Sequence, residues 1–484
     1  MHVCFRRRQL GPRLRPAHPR RQLLWVLLVA GVLCSAGAGA ESRQRQKLFE
    51  GPLLYGAGSD LPSLPPVAHD AWFPTGAPVA PALERPADSA EPPACSFRYP
   101  VCVHRGAGVG ADTALAALAA MDQAYERLVE AMRLPAPLPD LGRGGSDALD
   151  LYLRADGDGG FRSSHDLPLP GRFDRASAFC MLDSAARTPL DRAATQCVGE
   201  AIAWRLDAGL TPFERRAYAT DLWWIAGHPT SLDLQAVDDL QANPQSGVAG
   251  RDLSPLAEGA ALFYEFLDVT EGVGDPGRLP TALVATAAQK TDPRAWEWDN
   301  EPDVFDILRH TLGDSPRRMA DLMGRLAVDR VFLGDRDDGT HLPSMMWAGS
   351  FGRVRFAWSF PYSSLPRRVA PAHPVMPTAS VYVWLTLDKV PAQSSLGFRA
   401  DWEPPVGFKW TLVRVGHDGS ELSRIDVKYE ENATHAEKEI VNLTGAAGIL
   451  IIGTNMGGAD LTHPFDPDVA PYEPHSLTVY LASM

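Results

Sequence analysis

Several signatures of familiar chemistry are missing from this chain of 484 residues. There is no G-x-S-x-G nucleophile elbow, no P-loop and no G-x-G-x-x-G opening a helix after a strand, which removes the readings that rest on those motifs. The 13 histidines are scattered singly, and none is paired at the i, i+4 spacing that lets one helix face hold a metal ion. Cysteine is scarce, with 6 residues and no C-x-x-C, so cysteine-based zinc or redox motifs are excluded. Positive charge is also short: 46 Lys and Arg stand against 59 Asp and Glu, a formal charge of −13. Beyond residue 40 no apolar run has the length of a membrane span.

What is present begins with an address. Arg6, Arg7, Arg8, Arg13, Arg15, Arg20 and Arg21 precede the apolar run "LLWVLLVAGVLC", and "SAGAGA" follows, with Ala38-Gly39-Ala40 as an A-x-A cleavage site. This reads as a secretory signal peptide over residues 1–40. Bulky Leu33 before Cys34 argues against a lipidation site, and the context of Arg20-Arg21 is poor for a twin-arginine signal. Cleavage would remove seven arginines and no acids, moving the formal charge from −13 to −20. So acidic a mature chain speaks against nucleic acid or anionic lipid as partner. The expected location is periplasmic or extracellular.

Cys95, Cys102, Cys180 and Cys197 would remain. An even count in an exported chain implies two disulfides with three possible connectivities. Proximity in sequence favours Cys95–Cys102 and Cys180–Cys197.

Residues 41–94 are proline-rich without sustained periodicity and are expected to form a flexible or extended lead. From Cys95 the pattern is α+β. An amphipathic helix, "ADTALAALAAMDQAYERLVEAMRL", is followed by strands at 148–154 and 176–182 with a Gly/Asp-rich loop between them. Helices are then expected over Arg192 to Gly209 and at about 211–227, 253–270, 279–289, 302–312 and 315–328. After about residue 350 the period changes to seven short strands, the pattern of a β-sandwich or jelly roll. The expected division is 1–40, 41–94, 95–340 and 350–484.

One helix stands out. "RAATQCVGEAIAWRLDAG" has a buried-face pattern, yet places Glu200 in its apolar middle. A buried carboxylate is paired, protonated or functional. Arg192, Arg205, Arg215 or Arg216 could supply the pairing cation. Glu258, in "LSPLAEGAA", falls in or near a helix's first turn, where the helix dipole favours a carboxylate without any ligand. Trp223-Trp224, Trp296, Trp298 and Trp347 could line a groove, although tryptophans more often fill cores and interfaces.

The order strand, strand, buried helix, later helix with "EGAA" resembles the gluzincin-type zincin metallopeptidases, especially secreted bacterial proteins whose peptidase part precedes a β-sandwich. In that family a helix bears H-E-x-x-H beside an edge strand that binds peptide, and a glutamate from a later helix is the third zinc ligand. The likeness covers about residues 145–270. It puts Glu200 at the general-base position and Glu258 at the third-ligand position, while Gly199 and Ala203 stand where the two histidines belong. Glycine and alanine carry no donor atom, so the motif is degenerate and the resemblance implies no metal and no cofactor. The expectation is an exported, non-catalytic protein that binds peptide or cell-envelope material. The alternatives are a hydrolase with an unrecognised site and a structural or adhesive module. If the likeness holds, Glu200 and Glu258 face each other across one cleft.

Overall fold

The computed structural model describes residues 77–81, 83–87, 91–155, 160–186, 188–272, 275–388, 390–391, 393–430, 433–458 and 473–484. Residues 1–40, expected to be a signal peptide, and most of the proline-rich lead lie outside the described residues. All described residues belong to one compact unit, 47–484.

The first half is built on a five-stranded sheet: β1 (Ala94–Cys95), β2 (Val101–Arg105), β3 (Leu149–Arg154), β4 (Phe161–Leu169) and β5 (Arg175–Asp183), in the order β1-β2-β3-β5-β4. β2, β3 and β5 run parallel, and β4 lies antiparallel on the edge. Strand side chains alternate between two faces. Val101, Val103, Leu149, Leu151, Leu153, Ala178 and Cys180 enter the main core with the helices. Tyr152, Phe179 and Met181 face the other way and form a small separate cluster.

On the core face lie α1 (Ala111–Tyr125) and α2 (Leu190–Leu206), followed by α3 (Pro212–Ala226), α4 (Ser231–Ala242), α5 (Ala261–Glu271), α6 (Arg278–Ala287), α7 (Val304–Thr311) and α8 (Pro316–Asp329). Local signals explain the entries. Thr211 with Glu214, Thr230 with Asp233 and Asp303 with Asp306 are capping boxes that satisfy free N–H groups at the starts of α3, α4 and α7. Both expected disulfides form. Cys95–Cys102 joins residues directly opposite in the β1–β2 ladder, and Cys180–Cys197 ties β5 to α2 with Cα atoms 5.8 Å apart.

The second half is a sandwich. β6 (Trp358–Pro361), β7 (Arg367–Val369), β8 (Ser380–Thr386), β9 (Leu396–Trp402), β10 (Val406–Val415), β11 (Glu421–Asp426), β12 (His435–Ile440), β13 (Gly448–Gly458) and β14 (Leu477–Ser483) form two sheets, β11-β10-β13-β8-β6 and β12-β9-β14-β7. Phe408, Trp410, Ile451 and Val383 of one sheet share a core with Phe398, Ala400, Val479 and Leu481 of the other. α8 joins the halves: Ala327 and Val328 pack with Tyr382, Val413, Leu450 and Ile452, and Lys409 reaches Asp321 at 2.7 Å. The junction is thus packed. Among the described residues no helix is long and apolar enough to cross a membrane.

Several elements depart from the sequence expectation. The segment read as a Gly/Asp-rich loop contains β4, whose "FRSSHDLPL" is polar because the fold supplies partners for its side chains and because an edge strand tolerates Pro168. The short strands β1, β2 and β7, the strand β9 and the helix α4 depart from it too. The proline-rich lead is fixed in part: Leu83 N–H donates to Ser164 Oγ at 3.1 Å, and Arg85 enters a ring of carboxylates.

Candidate functional site

α2 runs under the sheet with almost every residue buried, and α3 crosses close beside it. The close approach depends on Gly199. A Cβ at this position would lie 3.2 Å from Ala219 Cβ and 3.3 Å from Ala219 Cα. The position that matches a first zinc-ligand histidine therefore faces the backbone of α3. Ala203, at the second histidine position, is fully buried in the apolar core. There is no open space along this face of α2 at Gly199.

Glu200 points between β4 and α3. Ser163 Oγ donates to its Oε2, and Arg216 Nε donates to its Oε1 at 2.5 Å. The same guanidinium reaches Glu258 Oε1 at 3.4 Å and the Phe161 carbonyl of β4 at 3.4 Å. Glu258 sits in the turn just before α5, where its other oxygen accepts from Arg192 Nη2 at 2.7 Å. Arg192 also donates to Asp233 Oδ1 at 3.1 Å. The two glutamates named from sequence thus do come together, with an arginine between them. The site is an alternating chain of charges: Glu200, Arg216, Glu258, Arg192, Asp233.

Of the four arginines considered for Glu200, Arg216 takes the role. Arg192 serves Glu258 and Asp233. Arg205 donates to the Ala136 carbonyl, and Arg215 lies over Trp204 with its CZ 3.4 Å from the ring centroid. Asp233 was missed from sequence although it is fully buried and accepts from five donors. These are Arg192, the indole N–H groups of Trp223 and Trp224, and the Thr230 amide and hydroxyl. Its capping-box position in "TSLD" was the available signal. Trp223 and Trp224 line this hub, and Trp298 packs edge-on against His165.

The electrostatics follow from the pairing. Burial pushes Glu258 and Asp233 towards the neutral form, but Arg192 outweighs it and both carboxyls are held below their ordinary values. Burial likewise opposes charge on Arg216, and Glu200 and Glu258 reverse it. The cluster is a set of mutually compensated charges, with Glu258 at its more open end.

A zincin-type zinc does not fit these residues. Two of its three ligand positions are side chains without a donor, one of them pressed against α3, and both glutamates already accept from a guanidinium. Among the described residues one other group offers three metal-type donors, Asp337, Asp338 and His341. Internal bonds account for it: Asp337 Oδ1 accepts from the amides of Gly339, Thr340 and His341, and His341 Nε2 meets Glu421 at 2.9 Å.

A scan of protein-family models and a search of curated proteins match nothing in this chain. Solved structures give faint likenesses. A pre-peptidase C-terminal domain of a Bacillus anthracis collagenase is 8% identical, covering 27% of this chain and 97% of that one, with a TM-score of 0.17. The infectious bursal disease virus VP2 subviral particle is 12% identical over 25% of this chain and 28% of its own, with a TM-score of 0.15. A family GH115 4-O-methyl-α-glucuronidase is 11% identical, covering 60% of this chain and 39% of its own, also at a TM-score of 0.15. At these scores the likenesses carry no argument about fold or activity, and the chain is placed in no family.

Proposed function

We propose that this is an exported, non-hydrolytic binding protein, in which a metallopeptidase-like domain carries a salt-bridge cluster where a metal centre would stand. One observation supports the reading above the others: the Arg216 guanidinium lies between Glu200 and Glu258 and bonds to both. A carboxylate that acts as general base must reach a water or substrate proton, whereas Glu200 is 4% exposed with both oxygens occupied. Two further features favour the zincin-like scaffold. One edge of the sheet is the antiparallel strand β4, and that strand contacts the glutamate-bearing helix through Ser163. Two disulfides suit an oxidising compartment. The expected ligand class is peptide or cell-envelope material, with the sandwich as a second surface.

The test joins metal content to hydrolysis. Purified mature chain, dialysed against micromolar zinc, is assayed by elemental analysis and with a degenerate fluorogenic peptide library. The expected result is well under one zinc per chain and no turnover that Glu200→Gln abolishes. Stoichiometric zinc, or turnover that depends on Glu200, would overturn the proposal.

A further inference from the structure

The face of the five-stranded sheet opposite the helices carries a second constellation that the metallopeptidase likeness leaves unused. Asp150 of β3, Asp166 of β4 and Asp140 of the preceding loop converge there, all three buried. Each is held from one side. Asp140 Oδ1 accepts from the Gly142 amide at 3.2 Å, Asp150 Oδ1 meets His104 Nε2 at 2.9 Å, and Asp166 Oδ1 accepts from Arg143 at 2.9 Å. In every case Oδ2 is left pointing inward, and all three Oδ2 atoms bond the same group, the Arg85 guanidinium. A shift in the β4 register between His165 and Pro168 sets Asp166 at this point. Gly144 closes the wall, since a Cβ there would collide with Asp150 Oδ2 and Arg85 Nη1.

The guanidinium is recognised by more than charge. Tyr152 OH accepts from Arg85 at 3.1 Å, and the CZ atom stands 5.1 Å from the Phe179 ring centroid. The backbone that delivers it is recognised too. The Leu83 amide donates to Ser164 Oγ, the Ala80 carbonyl meets His165 Nε2 at 2.9 Å, and the Leu83 side chain packs on the Tyr152–Phe179–Met181 cluster. Yet no described residue of 77–87 joins a strand ladder. The attachment is therefore that of a peptide seated by an anchor side chain and two main-chain contacts. Past Arg85 a cavity of about 750 Å³ continues along Pro86, Gly106 and Arg154.

We propose that the outer face of the five-stranded sheet is a binding surface for an extended, arginine-bearing peptide, and that Ala80, Leu83 and Arg85 of this chain occupy it in cis. The pre-oriented carboxylates carry this inference. Three backbone or side-chain donors outside the lead set their geometry, so the socket belongs to the folded domain and not to its present occupant. A neutral side chain in place of Arg85 takes the shared cation from three buried acids and leaves Arg143 paired with Asp166 alone, a deficit that a guanidinium supplied from outside would fill. The inference shares with the reading above only the class of ligand. It does not involve Glu200, so zinc or hydrolysis results leave it untouched.

The test uses the full mature chain carrying Arg85→Ala and a labelled peptide of residues 77–87, APVAPALERPA, beside a control with citrulline in place of its arginine. The variant should bind the arginine peptide at least about tenfold more tightly than the citrulline peptide. The unsubstituted chain, whose own Arg85 competes at high effective concentration, should take up far less of either. A folded variant with both disulfides that ignores the peptide, or binds both peptides equally, would show Arg85 to be a structural staple only. Should the variant not fold alone, it is refolded with each peptide present. Recovery with the arginine peptide and not with citrulline supports the proposal, and any other result overturns it.

Discussion

Arg216→Met removes the guanidinium while keeping a long side chain in its place. Glu200, 4% exposed, then loses its direct cation and keeps the Ser163 hydroxyl as donor. Glu258 is affected less, because Arg192 stays at 2.7 Å and its side chain is 25% exposed. The cost is thus mainly that of one buried carboxylate stripped of its partner. Breaking such a pair from one side costs about 3–5 kcal/mol, and a single stranded acid places this variant near 3 kcal/mol. Removing both partners is gentler, so Arg216→Met with Glu200→Gln should recover about 1–3 kcal/mol. Urea unfolding at pH 7.5, followed by near- and far-ultraviolet circular dichroism, measures both effects. A loss below about 1 kcal/mol, or a double variant no more stable than the single one, would refute the account of Glu200 as a charge fixed by Arg216.

Other consequences can be measured independently. Cys180→Ala with Cys197→Ala opens a link across a sequence separation of 17 and should cost about 3 kcal/mol by chain entropy, read from urea unfolding with midpoint and m-value both fitted; in the unsubstituted chain, non-reducing peptide mapping should recover Cys180 with Cys197. Gly199→His restores the first histidine of the metal motif, but its side chain meets Ala219; it should lower the melting temperature and bind no zinc, and a stable, zinc-binding variant would show that the face of α2 is misread. Burial raises Asp140 from 3.8 to about 6 against the pull of Arg85. Its ionisation therefore removes stability as pH climbs from about 4 to about 6, and Asp140→Asn should gain on the unsubstituted chain between pH 4.5 and pH 7 in a differential thermal scan. Glu421, which burial would raise, is instead held at about 2 by His341 and Arg424. Its contribution should be present above pH 4.5 and lost as pH falls towards 2, so Glu421→Gln should flatten acid denaturation over that range.

Periodicity alone determined much of this molecule. The apolar spacing of α1, α2, α3 and α6–α8, the alternation in β3 and β5, and the change of period after about residue 350 are local properties, visible wherever one face of an element is buried. The two disulfides were legible by proximity in a chain with four candidate cysteines. So was the anomaly of Glu200, because a carboxylate in an apolar helix needs a partner somewhere.

Which partner it finds is not a local property. Arg192, Arg205, Arg215 and Arg216 are equivalent in sequence, and only the crossing of α2 and α3 at Gly199 turns Arg216 towards Glu200 and sends Arg215 over Trp204. β4 escaped notice for the same reason, since its polar residues are satisfied from three different parts of the chain: Ser163 by Glu200, Ser164 by Leu83 and Asp166 by Arg85. The acid socket was hidden as well. Asp140, Asp150 and Asp166 are ordinary surface-type residues along the sequence, and they become one site only when β3, β4 and the loop before β3 are brought together. Burial by a face depends on residue spacing, which the sequence displays. Pairing of charges depends on which elements cross and at what distance, and only the tertiary structure sets that.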